Sequence, residues 1–259
     1  MKIAVYFKKQ NQENADLVKQ EALKHNLILD DENPDIVFSV GGDGTFLKAV
    51  HAYLDKLDNI YFIGINSGSL GFLYDFSKEE IPMIMENIAK GKFSIKEHVL
   101  LKGDVQFENS LETVYALNEI RIENPFHTLI SDVLINNELL ETYHGSGLIV
   151  SSSLGSSAYN KSLGGALIDN DILALELTEV AAIQNRVYRS LGSSLVIKGD
   201  KKVEFAGKIS HAVVGFDHMS INKEDNLLKV DISYSNKKAK IIYDPEHSYI
   251  QKIRKGFVL

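Results

Sequence analysis

The sequence predicts an α/β N-terminal domain built on a parallel sheet, followed by a mainly antiparallel β C-terminal domain. Three observations carry this. Over roughly the first hundred residues, short apolar runs alternate with helical stretches, the pattern of a parallel sheet covered by helices. Beyond Lys96 the runs turn short and strand-like, with the turn pairs Asn136-Asn137, Gly199-Asp200 and Ser235-Asn236 separating several of them. The chain's 259 residues, 44% hydrophobic and 24% charged, suffice for two modest domains and are too apolar for wholesale disorder.

Taken in order, Lys2–Phe7 (KIAVYF) reads as a buried strand. Glu13–Lys24 reads as a helix with Ala15, Leu17, Val18, Ala22 and Leu23 on one stripe. After Pro34 the run DIVFSV enters the glycine cluster Gly41–Gly44, and a helix follows from Thr45 to Leu57, apolar at Phe46, Leu47, Val50 and Leu54. Next come the strand Tyr61–Ile65, a turn-like NSGS and a helix around Lys78–Lys90. In the second half Glu112–Ile122, Thr128–Ile135, Lys201–Phe205, His211–Ile221, Leu227–Tyr234 and Lys238–Tyr243 read as strands. Leu173–Arg189 fits neither period.

Charge and composition narrow the function. The net charge of −7 disfavours a nucleic-acid backbone as partner, because that affinity rests on Lys and Arg neutralising phosphates; a local basic pocket for a small phosphorylated molecule stays open. The absence of cysteine removes disulfides, thiolate metal sites and a Cys nucleophile, and fits a reducing compartment. The first apolar run, Ile3–Phe7, is cut by Lys8-Lys9, too short for a signal-peptide core, and no apolar run reaches the ~18 residues of a membrane span. The expectation is a cytoplasmic protein with no membrane partner.

Three segments carry chemistry. In DIVFSV-GGDG-TFLKAV a buried strand enters a glycine turn that opens a helix, an arrangement in which backbone N–H groups hold an anion. Asp43 is its informative residue. Amid phosphate-binding glycines a carboxylate repels phosphate unless it ligates a bridging metal or accepts a proton from an attacking hydroxyl; the alternative is that Asp43 caps the helix. The turn lacks the Lys-Ser/Thr of a Walker A loop and the spacing of a dinucleotide fingerprint. In ALNEIRI, Asn118 and Glu119 sit side by side in a strand-like run, so one polar side chain faces inward unless a bulge or ligand re-aims it; a solvated strand end is the alternative. The third, His144–Ala166, follows a strand with dense Ser and Gly residues and Tyr159, suited to wrapping a nucleotide and stacking on its ring. Its alternative is a flexible linker, disfavoured by the interleaved Ala158, Leu163 and Leu167. The closing basic stretch Lys252–Lys255 reads as a solvated helix face, and neither a HExxH nor a GxSxG motif occurs.

The ordered set GGDG, then NE, then SAYNKSLGG resembles the bacterial NAD kinase family, and IGINSGSLGF and LTEVAAIQNRVYRSLGS extend the likeness over nearly the whole chain. GGDG alone is shared with lipid kinases and phosphofructokinases. The resemblance implies a Rossmann-like first domain, residues 1–97 plus 243–259, and a β domain, residues 98–242. It implies transfer of a phosphoryl group from ATP or polyphosphate to the 2′-hydroxyl of NAD's adenosine ribose, with Mg²⁺ or another divalent cation, in a homodimer or homotetramer. By position it makes Asp43 the proton acceptor and Gly44 its backbone partner, and Leu47 and Phe72 apolar contacts to NAD. Asn118 and Glu119 become the ribose grip, Ser157, Ala158, Tyr159, Asn160 and Ser162 the adenosine loop, and Ala181 and Ile183 a wall near the nicotinamide. The chain departs from the family where His144-Gly145-Ser146-Gly147 replaces Arg-Gly-Asp-Gly and Ser151-Ser152-Ser153 replaces Ser-Thr-Pro. The resemblance implies that the Asp that relatives have at the position of Ser146 holds the nicotinamide amide across a subunit interface. A lipid kinase and a non-catalytic NAD(P) sensor are the other readings.

Overall fold

Ile36, Val37, Phe38 and Val40 are all fully buried, which is why that run shows no polar alternation: both faces of its strand are covered. The structure, a computed structural model, describes residues 1–68 and 71–259; Ser69 and Leu70, in the NSGS turn and the IGINSGSLGF segment, lie outside the described residues. The chain divides into two compact units, Met1–His98 with Lys237–Leu259, and Val99–Asn236.

The first unit contains β1 (Lys2–Phe7), α1 (Gln12–Lys24), β2 (Ile28–Leu29), β3 (Ile36–Gly41), α2 (Asp43–Ala52), β4 (Tyr61–Asn66), β5 (Phe76–Ser77) and α3 (Ile81–Ala89). β1 lies between β2 and β3, β3 pairs with β4, and β4 pairs with β5 and with Lys240–Ile242, every pairing parallel. Ala15, Val18 and Ala22 bury one stripe of α1 in a core with Ile3, Phe38, Ile63 and Met85. Leu23, one residue round from Ala22, falls off that stripe and is exposed. α2 opens at Asp43, two residues before the predicted start, and gives way to a 3₁₀ segment at Leu54–Asn59. Ser77 and Glu80 form a reciprocal capping box ahead of α3, with Pro82 in its first turn.

The following strands are β6 (Ser94–Phe107), β7 (Leu111–Ala116), β8 (Glu119–Glu123), β9 (Leu129–Ile135), β10 (Glu138–Gly145), β11 (Gly147–Ser152), β12 (Ala174–Val180), β13 (Leu195–Lys198), β14 (Val203–Ala206), β15 (Val213–Phe216), β16 (Met219–Ile221) and β17 (Leu227–Tyr243), with the short helix α4 at Tyr159–Ser162. In the second unit β10-β9-β14-β17 form one antiparallel array, which β6 and β7 extend beyond β17. A second antiparallel sheet runs β13-β12-β11-β8-β15-β16. Val133, Phe205 and Val230 of the first share one core with Ile122, Val150 and Leu177 of the second, so two half-buried sheets cover each other.

The architecture is the predicted one, α/β then mainly antiparallel β; several boundaries differ. The run Glu112–Ile122 is two strands, and His211–Ile221 is the β15–β16 hairpin, turning at Asp217 with φ +48°. Leu227–Tyr243 is one 17-residue strand, so Ser235-Asn236 is no turn. Leu173–Arg189 resolves into β12 and a following loop, and β6 and β10 are not among the predicted strands.

Candidate active site

β3 carries the chain into the glycine turn. Gly42 occupies the N-cap of α2 without a side-chain cap, so Asp43 does not cap the helix as the simpler alternative required. Its carboxylate reaches the Phe72 segment instead: Oδ2 accepts from the Phe72 N–H at 3.0 Å and Oδ1 from the Leu73 N–H at 3.0 Å. A Cβ on Gly71 would lie 2.6 Å from Oδ1, so glycine is required there for the carboxylate to fit. Burial pushes Asp43 above the ordinary carboxylate range, while the two N–H donors and the Lys252 ammonium pull the other way. Gly44 is exposed, Leu47 is buried on the inner face of α2, and Phe72 is half-buried with its ring stacked 5.0 Å from that of Phe257. A cavity of about 480 Å³ opens beside the turn, lined by Asn66, Gly71, Tyr74, Ser77, Lys252 and Lys255. Lys252 corrects the reading of the terminal basic stretch as a solvated face: its Nζ lies 2.5 Å from Asp75 and donates to the Phe72 carbonyl at 3.1 Å.

In the second unit Asn118 and Glu119 are buried, not a solvated strand end. Their backbone is clamped from both sides. The Asp217 carboxylate accepts from the Leu117 and Asn118 N–H groups at 2.8 Å each. The Ser152 hydroxyl donates to the Leu117 carbonyl at 2.7 Å, and the Ser152 N–H to the Asn118 carbonyl at 2.8 Å. Glu119 Oε1 accepts from Arg121 at 3.2 Å; its other oxygen, Oε2, is buried with no hydrogen-bond partner among the described residues. Burial, then the Asp217 charge, pushes the Glu119 carboxyl up to about 8, with Arg121 opposing. Arg121 also donates to Glu123 at 2.9 Å and lies 5.6 Å from the Tyr159 ring centroid, and the Tyr159 hydroxyl donates to Glu123 at 3.0 Å. Arg121, Glu123 and Asp217 are not among the site residues expected from the sequence. For the first two the signal was present: Glu119, Arg121 and Glu123 are alternate residues of β8 and share one face.

The Ser-Gly loop is held, not flexible. A Cβ at Gly155 would lie 2.2 Å from the Asn118 carbonyl oxygen, so the loop packs directly on the Asn-Glu backbone. The Ser157 hydroxyl donates to the Leu154 carbonyl at 3.4 Å, and the Ala158 N–H to the Gly155 carbonyl at 2.9 Å. Tyr159 and Ser162 are exposed. Asn160 is wholly buried, its amide donating to Glu176 at 2.7 Å and accepting from Thr178 at 2.7 Å. Where the family has Thr-Pro, Ser152 supplies the hydroxyl that a Thr would, and Ser153 bonds the Ile172 carbonyl. The structure gathers His144, Ser146, Ala181 and Ile183 separately. The His144 carbonyl accepts from the Ile183 N–H at 2.7 Å and its ring stacks 4.2 Å from Tyr188; the Ser146 N–H donates to the Val180 carbonyl at 2.9 Å. Ala181 sits at φ +50° where β12 ends. Among the described residues no three His, Asp or Glu side chains converge on a metal position.

The first unit presents a carboxylate held by backbone N–H groups on a glycine turn, and the second a buried carboxylate and an aromatic loop, side-chain chemistry of the kind a kinase acting on a hydroxyl uses. Residues 4–93 match the family model of the ATP-NAD kinase N-terminal domain and residues 117–243 that of the ATP-NAD kinase C-terminal domain. The chain belongs to the NAD kinase family, whose reaction is the phosphorylation of NAD to NADP. It is 36% identical to an NAD kinase of Streptococcus gordonii over 99% of this chain and 95% of that one. With an NAD kinase of Streptococcus pneumoniae it shares 36% identity over 92% and 89%. In fold it resembles yeast NADH kinase complexed with NADH, with a TM-score of 0.86 at 18% identity over 100% and 88% of the two chains. It also resembles an NAD kinase from Archaeoglobus fulgidus in complex with ATP, with a TM-score of 0.80 at 21% identity over 98% and 99%. Nothing in these comparisons supports a lipid kinase or a non-catalytic sensor. No helix among the described residues is long and apolar enough to cross a membrane.

Proposed function

We propose that this chain phosphorylates the 2′-hydroxyl of the adenosine ribose of NAD with ATP as donor, and that Asp43 accepts the hydroxyl proton. The observation that carries the reading is the Asp43 carboxylate, oriented at both oxygens by backbone N–H groups and raised in pKa by burial, on a turn whose glycines admit phosphate. As the O–H proton passes to Asp43, the oxygen's electron pair forms the new P–O bond to the γ-phosphorus. The bond to the β-phosphate oxygen breaks and ADP leaves. Catalysis of this kind is mostly positioning and charge.

The second unit supplies the grip. The unpartnered Glu119 Oε2 accepts from a ribose hydroxyl, Asn118 reads a nucleotide edge, and the exposed Tyr159 ring stacks on the base while Ser157 and Ser162 offer hydroxyls. Asn160 holds the loop from within through Glu176 and Thr178. Gly44, Leu47 and Phe72 shape the acceptor side of the glycine turn, and His144, Ser146, Ala181 and Ile183 the nicotinamide end. A divalent cation, Mg²⁺ by preference, fits this chemistry as a companion of the donor phosphates, since no dedicated protein cage exists among the described residues. Polyphosphate is the other donor with that chemistry. The cysteine-free composition supports a cytoplasmic location.

Asp43→Asn keeps the shape of the side chain and removes the base. The expected result in a coupled assay for NADP is a kcat lower by about 10²- to 10⁴-fold with NAD still bound. A variant keeping more than about a third of wild-type kcat excludes Asp43 as the base.

A further inference from the structure

The Asp43 carboxylate is aimed by backbone, so whatever fixes the Phe72–Leu73 backbone fixes the base. Phe72 is held on three sides. Its N–H meets Asp43, its carbonyl accepts from Lys252 Nζ at 3.1 Å, and its ring stacks on Phe257 with the planes 23° apart. Lys252 is itself anchored. Its ammonium lies 2.5 Å from Asp75 Oδ1, on a side chain only 5% exposed, and the other Asp75 oxygen accepts from the Asp244 N–H at 3.2 Å. Helix α5 (Tyr249–Ile253) carries Lys252 and starts from a Ser248–Gln251 capping box, so the ammonium is presented from a defined helix start.

We infer that Lys252 is a positioning residue of the phosphoryl-transfer reaction: its ammonium, tied to Asp75, locks the Phe72 carbonyl and so sets the two N–H donors that aim Asp43. The inference rests on the reading of Asp43 as proton acceptor. It includes an electrostatic part. The charged and titratable groups facing Asp43 are Lys252, which draws its pKa down, and the Tyr74 hydroxyl. Removing the ammonium therefore leaves a carboxylate both less well aimed and harder to ionise.

The test uses Asp43→Asn, Lys252→Met, Lys252→Arg and the double variant Lys252→Met/Asp75→Asn, all in the full chain. Lys252→Met leaves Asp75 buried and unpaired and is expected to lower the melting temperature; the double variant removes both charges and restores it. In the refolded double variant kcat is expected to fall about 10- to 100-fold, as for a small displacement of a catalytic group, while KM for NAD stays within about threefold. The acidic limb of its kcat–pH profile is expected to move to higher pH, and Lys252→Arg to recover at least about a third of kcat. A double variant with wild-type melting temperature, kcat and pH profile overturns the inference; if Asp43→Asn is inactive in the same series, the reading of Asp43 stands. An active Asp43→Asn overturns that reading and the inference with it.

Discussion

Glu119 is a carboxylate in a place that resists its charge. Burial and the neighbouring Asp217 raise its pKa from the ordinary 4.5 to about 8, and one of its oxygens has no hydrogen-bond partner among the described residues. Between those two values the folded protein keeps a proton that the unfolded chain has released. The stability associated with Glu119 is full below about pH 4.5 and is lost as the pH rises through about 8. Glu119→Gln abolishes that loss, so its melting temperature relative to wild type is expected to climb between pH 5 and pH 8.5. In its proposed role against the NAD ribose, Glu119 meets the opposite demand, because ribose hydroxyls donate and favour the ionised carboxylate. NAD affinity of the natural protein is expected to tighten severalfold from pH 6 to pH 8, with Glu119→Gln nearly flat. Calorimetric titration at the two pH values checks this, and a flat wild-type profile would exclude Glu119 as a carboxylate acceptor of the diol.

At the scale of elements, the break between β7 and β8 is imposed by a residue about a hundred positions away. Asp217 takes the N–H groups of Leu117 and Asn118 out of the ladder, and its own N–H returns to the Glu119 carbonyl at 3.1 Å. Nothing local in the run Glu112–Ile122 announces this, which is why it reads as one strand. Asp217, at the β15–β16 turn, thus builds the Asn-Glu motif. Asp217→Ala strands two buried donors and is expected to cost about 2–4 kcal/mol, as for lost hydrogen bonds to a charged acceptor, and to weaken NAD binding in parallel. Urea unfolding followed by NAD titration of the folded variant checks both; an unperturbed NAD affinity would mean that the clamp serves stability alone. Other elements were legible because their signals are local. The unbroken apolar run of β3 and the 3–4 spacing of α1 need no distant partner to be recognised. Ser235-Asn236 misleads in the opposite sense: a turn-forming pair is carried through a 17-residue strand that pairs with β14 before it and with β4 after it, tertiary pairing overriding local preference. Lys252 was misread for a similar reason, since composition shows a basic face and not the buried Asp75 beneath one of its members.

For the molecule as a whole, the departures from the family pattern at His144 and Ser146 are expected to bear on substrate affinity more than on turnover. By resemblance the residue at Ser146 acts toward the nicotinamide of a neighbouring subunit in a homodimer or homotetramer. A Ser hydroxyl contributes about 1 kcal/mol less than a carboxylate would there, roughly fivefold in affinity. The nicotinamide is remote from the 2′-hydroxyl, so this loss appears in KM and not in kcat. Ser146→Asp is expected to lower KM for NAD severalfold at unchanged kcat, and light scattering is expected to find the protein oligomeric. A natural sequence without turnover at saturating NAD, rescued by Ser146→Asp, would refute this account.

The return of residues 237–259 to the first unit has a consequence for biosynthesis. β4 gains its parallel neighbour Lys240–Ile242, and Phe72 its clamp, only from residues translated after the whole of Val99–Asn236. At about 5–20 residues per second the ribosome takes on the order of 10 s to make that insert. During this time the nascent first unit leaves Tyr61–Ile63 of β4 without its partner on one side, an unpaired parallel edge of the kind that recruits other strands. The second unit, contiguous in sequence, has all its strands available first. This places the order of maturation opposite to the order of synthesis: the unit begun first is finished last, and the Phe72 carbonyl, next to the N–H that meets Asp43, is clamped only when α5 arrives.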